Sequence, residues 1–118
     1  MSEVIGTDEF GEWYRSLSLQ EEAEVANAVG KLELLGLALG EPHASAVKGA
    51  SFGLRELRCR SGKSPLRVFY AYDPRRDAVL IIGGDKSGDA RFYDRMIPKA
   101  EAIWTQYLAE LPGVPEKG

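Results

Sequence analysis

The chain has 118 residues, 44% of them hydrophobic and 28% charged, which suits one globular domain over residues 1–111 and not two. No run of about 18 apolar residues is present, Met1–Ile5 lacks the basic start and apolar stretch of a secretory leader, and Cys59 and His43 alone supply neither a disulfide nor a Cys/His zinc set. A cytoplasmic protein without membrane span, metal or other cofactor is expected.

Val4 and Ile5 could form an N-terminal edge strand. Thr7 then offers a hydroxyl N-cap, and Phe10, Trp13, Tyr14 and Leu17 follow at the spacing of one helical face. Ser18-Leu19-Gln20-Glu21 has the form of a capping box, so a second helix begins there. Its stripe continues through Val25, Val29 and Leu32, and Gly40 with Pro42 is expected to close it. The two helices make an antiparallel hairpin.

After Gly40 the period changes from about 3.6 to 2, and Glu41 to Ser51 reads as a loop with room for a short strand. Three strands follow. Leu54 to Arg60 places Arg55, Leu57 and Cys59 on one face and Glu56, Arg58 and Arg60 on the other. Ser61 to Pro65 is a hairpin loop. Leu66 to Tyr72 sets Leu66, Val68, Tyr70 and Tyr72 against Arg67, Phe69 and Ala71, and Asp73 to Asp77 turns the chain again. Ala78 to Ile82 is apolar throughout and reads as a central strand.

Gly83 to Gly88 breaks the pattern, and Phe92, Met96, Ile103 and Tyr107 restore a helical stripe, with Pro98 inside it expected to kink or restart the helix. Residues 112–118 read as a flexible tail. The fold class is α+β: two N-terminal helices on a small antiparallel sheet, with a C-terminal helix. With the helices on one face, the other is expected to present its side chains.

The net charge of −3 conceals a segregation. Residues 1–47 hold two basic and nine acidic groups, whereas residues 48–99 hold twelve basic and six acidic. Either the two halves neutralise each other in the fold, or one surface meets a polyanion. Arg67 would point away from the helices, and Arg58 and Arg60 would share its face if the register permits. Lys48, Lys86, Arg91 and Arg95 could ring the same surface, with Phe92 or Tyr93 stacking on a base. Gly83 to Gly88 lacks the spacing of a phosphate-binding loop. One histidine cannot build a two-histidine ribonuclease mechanism, which leaves charge stabilisation to Lys and Arg.

Val47-Lys48-Gly49-Ala50, Gly53 to Arg58, Pro65 to Pro74, Ile81 to Lys86, Arg91-Phe92-Tyr93 and Met96-Ile97-Pro98, in that order, resemble the RelE/ParE toxin superfamily in its HigB-like, phage-derived branch. The resemblance runs from about Val4 to Leu111. It implies a RelE-like fold and the toxin of a bacterial type II toxin-antitoxin pair. Its partners would be a cognate antitoxin with a helix-turn-helix DNA-binding domain, the ribosome and mRNA. Relatives of the RelE and HigB kind cut mRNA in the ribosomal A site without a metal, by attack of a ribose 2'-hydroxyl on the adjacent phosphate. The resemblance implies catalytic roles for Arg58, Arg67, Lys86 and Tyr93, and RNA contacts from Lys48, Arg55, Arg60, Arg91, Phe92 and Arg95. The chain lacks the histidine that HigB relatives often carry near their end. A non-cutting inhibitor of DNA gyrase of the ParE kind, or a non-toxic accessory protein of the same fold, is equally compatible with the pattern.

Overall fold

A computed structural model describes residues 3–61 and 64–112. The chain runs β1 (Val4–Gly6), α1 (Asp8–Arg15), α2 (Leu19–Leu35), a 3-10 turn (Gly36–Ala38), β2 (Ala44–Ala46), β3 (Arg55–Ser61), β4 (Ser64–Tyr72), β5 (Ala78–Asp85) and α3 (Phe92–Ala109). The expected tail beyond Pro112, and Gly62-Lys63 in the β3–β4 connection, lie outside the described residues.

The sheet has the order β1-β5-β4-β3-β2. It is mixed and not wholly antiparallel as expected, because β1 runs parallel to β5, pairing Val4 with Ala78. That orientation follows from the crossover: the helical hairpin and three strands lie between the two partners, so no tight turn dictates an antiparallel pairing. β2, the short strand for which the Glu41 to Ser51 loop has room, pairs antiparallel with β3 and places Ser45 opposite Glu56.

Both helix starts use the expected caps. The Thr7 hydroxyl accepts the Phe10 amide at 3.0 Å. Ser18 and Glu21 exchange bonds reciprocally, Ser18 N–H to Glu21 Oε1 at 3.0 Å and Glu21 N–H to Ser18 Oγ at 3.2 Å. The end of α2 differs from expectation. It stops at Leu35, five residues before Gly40, because Gly36 takes a positive φ of 53° that breaks the helical path.

Val25, Ala28 and Leu32 of α2 pack on Leu57, Leu66, Val68 and Tyr70, the sheet face read from the sequence as the covered one. Full burial of each large side chain contributes about 1.5–3 kcal/mol. The opposite face is not left open. Phe92, Met96, Ala100, Ile103 and Trp104 of α3 cover Phe69, Ala71, Val79 and Ile81, since Phe69 and Ala71 make that side of β4 apolar too. Pro98 sits on the exposed side of α3, which continues past it. Between Phe69 and Tyr70 the β4–β5 register slips by a bulge. At Gly83 the Trp13 ring lies where a side chain would begin. The β4–β5 turn is organised by buried Asp73, whose Oδ1 accepts the amides of Arg75 and Asp77 and whose Oδ2 accepts the Tyr107 hydroxyl at 2.9 Å.

Candidate functional site

On the α3 side of the sheet, toward the β3–β4 connection, the register decides which side chains stand together. Arg58 lies directly opposite Arg67. Facing like charges repel, so the pair needs an anion, and Glu56 supplies it from the same strand face. Its Oε2 is 3.6 Å from Arg58 Nη2 and its Oε1 3.6 Å from Arg67 Nε. Glu56 is only 6% exposed, a depth at which a carboxylate requires partners on both oxygens. Ser45 Oγ donates to Oε2 at 3.3 Å, and Tyr93 Oη donates to Oε1 at 2.6 Å.

Arg58 is held further by donation to Ser45 Oγ at 2.9 Å and to the Pro42 carbonyl at 3.3 Å, with Glu41 3.6 Å away. Arg67 donates to its neighbour's carbonyl, Leu66 O, at 3.1 Å. Its Nε is buried with no hydrogen bond among the described residues. Lys86 Nζ sits 5.2 Å from the centroid of the Tyr93 ring, a cation-π distance. Burial first, and then the bond to Glu56, push the Tyr93 phenol above its ordinary value. It therefore stands as a protonated donor across the neutral range. A cavity of about 390 Å³, lined by Glu24, Asn27, Lys31, His43, Arg58 and Arg67, adjoins the pair.

The four expected catalytic residues thus meet in one cluster. The expected RNA contacts do not all join them. Arg55 is on the opposite sheet face, donating to Tyr70 Oη at 3.2 Å and to Leu39 O. Phe92 is 2% exposed, stacked on Phe69, with Gly84 against its ring, so it offers no face to a base. Arg95 is tied to Asp89. Lys48 and Arg91 are exposed and make no ion pair with the cluster among the described residues. Arg60 sits on β3 opposite Pro65, and its side chain is outside the description. Glu56 and Ser45 join the cluster although no sequence motif marks them as site residues. Their only signal was an acid alternating with arginines on one strand face, and the partner strand that completes it is three residues long.

The family model described as "Phage derived protein Gp49-like (DUF891)" matches residues 12–105. The chain belongs to this family. Gp49-like proteins are of the HigB/RelE toxin type, and two relatives in Mycobacterium tuberculosis carry the names of candidate toxins. The chain is similar to HigB3, 38% identical over 103 residues that cover 86% of this chain and 89% of HigB3. It is also similar to HigB2, 34% identical over 101 residues, 83% of this chain but 50% of HigB2, so it spans half that protein's length. Two solved structures share the fold. An arginine double mutant of E. coli toxin RelE in the free state superposes with a TM-score of 0.59 at 11% identity, over 83% of this chain and 96% of RelE. A chain of the archaeal RelE-RelB complex from Pyrococcus horikoshii gives 0.53 at 15%, over 74% of this chain and 97% of that one. The Gp49-like chain is therefore a RelE-superfamily toxin in fold and family. Among its described residues no helix is long and apolar enough to cross a membrane.

Proposed function

We propose that this toxin is a ribosome-dependent, metal-independent mRNA endonuclease, neutralised by a cognate antitoxin. The observation that carries the reading is the Arg58–Arg67 cross-strand pair, two arginines directly opposite on β3 and β4 and each 3.6 Å from Glu56. Such a pair suits a phosphate whose charge grows during reaction.

In the reaction, a ribose 2'-hydroxyl gives up its proton to solvent water as its oxygen forms a bond to the adjacent phosphorus, while the bond from phosphorus to the 5'-oxygen breaks, leaving a 2',3'-cyclic phosphate and a 5'-hydroxyl. Arg58 and Arg67 stabilise the non-bridging oxygens. Tyr93, oriented by Glu56, gives its proton to the departing 5'-oxygen, and Lys86 over the ring favours the phenolate that remains. Glu56 touches no substrate in this scheme; it is a positioning residue.

The experiment is expression of the chain alone, with primer extension on a translated reporter message. New 5' ends within codons are expected, together with a fall of about 10²–10³ in cleavage for Arg67→Ala. Intact messages during growth arrest overturn the reading, and loss of DNA gyrase supercoiling under the same conditions would replace it with the ParE-type mode.

A further inference from the structure

The last turn of α2 and the 3-10 turn after it carry large apolar side chains that no described residue covers. Leu34 is 83% exposed and Leu37 78%, with Leu35 exposed between them. Single exposed leucines are ordinary on a protein surface, but three within four residues form a patch. They are there because Gly36 ends α2 early: its positive φ swings Leu37 away from the core stripe that Val25, Ala28 and Leu32 follow.

Beside the patch lies a groove of about 230 Å³ between the end of α2, β1 and the far end of β4, lined by Val4, Leu32, Leu35, Tyr72, Glu3 and Glu33. Tyr72 Oη is buried there with no hydrogen-bond partner among the described residues, an arrangement native structures seldom leave unanswered. The groove's charged groups are both acidic, in a stretch of chain with nine acidic residues against two basic. Apolar anchors with acidic flanks fit a segment of opposite sign. Tyr72 is five residues beyond Arg67 on the same strand, about 17 Å away, so this surface is separate from the arginine cluster.

We infer that Leu34, Leu37 and the adjoining groove are the docking surface for a basic amphipathic segment of the antitoxin, with a large apolar side chain entering the groove beside Tyr72. This rests on the toxin-antitoxin reading and adds to it the surface and the partner's chemistry. Leu19 provides an internal control. It is equally exposed, at 85%, but stands at the opposite end of α2, about 22 Å away along the helix axis.

The test is co-expression of the full chain with the tagged product of the neighbouring antitoxin gene, followed by titration of the purified partners. Leu34→Glu/Leu37→Glu is expected to weaken binding at least 100-fold, while Leu19→Glu changes it less than threefold and all three proteins melt alike. Binding should also weaken steeply as salt is raised. If the unmodified chain does not bind the neighbouring product, the toxin-antitoxin reading itself fails. If it binds and the double variant binds equally well, only the docking surface is overturned. A chain that sediments alone as a dimer and becomes a monomer on Leu34→Glu/Leu37→Glu would likewise overturn it, by showing that a second copy occupies the patch.

Discussion

Replacing Tyr93 by Phe removes one oxygen and separates two roles that coincide in it. The phenol donates to Glu56 Oε1 at 2.6 Å, and a hydrogen bond to a charged acceptor contributes about 1.5–3 kcal/mol. Because Tyr93 is only half-buried, the lower figure applies, about 1.5 kcal/mol. For a chain of this length that lowers Tm by about 6 °C. A domain with about 5–15 kcal/mol of stability stays almost wholly folded after such a loss, so any large fall in cutting at 25 °C reports chemistry and not unfolding. A general acid is worth about 10²–10⁴ in rate, and Tyr93→Phe should lose that much in single-turnover cleavage on programmed ribosomes. The raised phenol keeps its proton through the neutral range, so the rate of the unmodified toxin should show no decline from Tyr93 ionisation below about pH 10. A Tyr93→Phe protein that melts about 6 °C lower yet cuts within threefold of the unmodified rate would refute the proton-donor role and leave Tyr93 only as a brace for Glu56.

Gly83→Ala should destabilise by about 3 kcal/mol or prevent folding, because its new methyl group overlaps the Trp13 ring in a packed layer; urea unfolding of any soluble product measures it. Ser18→Ala removes the half of the capping box that the hydroxyl makes with the Glu21 amide and keeps the backbone N–H bond to Glu21 Oε1; it should cost about 1 kcal/mol, visible as a Tm lower by about 4 °C with cleavage unchanged. Tyr107 is pushed up to about 12, by burial first and then by its bond to Asp73. Between its unfolded value of about 10 and that value the unfolded chain has released its proton while the native chain keeps it, so the Tyr107 contribution is complete below about pH 10 and disappears toward pH 12. The Tm difference between the unmodified protein and Tyr107→Phe should accordingly narrow from pH 9 to pH 12, and a constant difference would contradict the assignment.

Local signals in the sequence carried the helical hairpin well. Thr7 and the Ser18–Glu21 pair act within three residues of themselves, so their caps could be read without knowing the fold. Features set by distant partners could not. Phe69 and Ala71 made the second face of β4 apolar, yet only the return of α3 across it shows that this face is covered and that Phe92 is interior. Arg58 and Arg67 could be placed on alternating positions, but their meeting depends on a register fixed by the hairpin. The alternation of β3 already sets Arg55 on the face opposite Arg58, and there its Nε donates to the Tyr70 hydroxyl and not to the cluster. Glu56 was hardest to see, because an acid between two arginines on a strand looks like ordinary surface until Ser45 and Tyr93 arrive from elements 11 and 37 residues away.

The pairing of β1 with β5 also orders events during synthesis. Val4 has no strand to join until Ala78 and its neighbours have left the ribosome, so the first element made is among the last to settle, and Trp13 must wait for Gly83 in the same way. Contacts this far apart in sequence are slow to close. A nascent chain can form the β3–β4 hairpin, with its two arginines, while its amino end is still unanchored; the sheet closes only when β5 is available, and its second face is covered only when α3 follows.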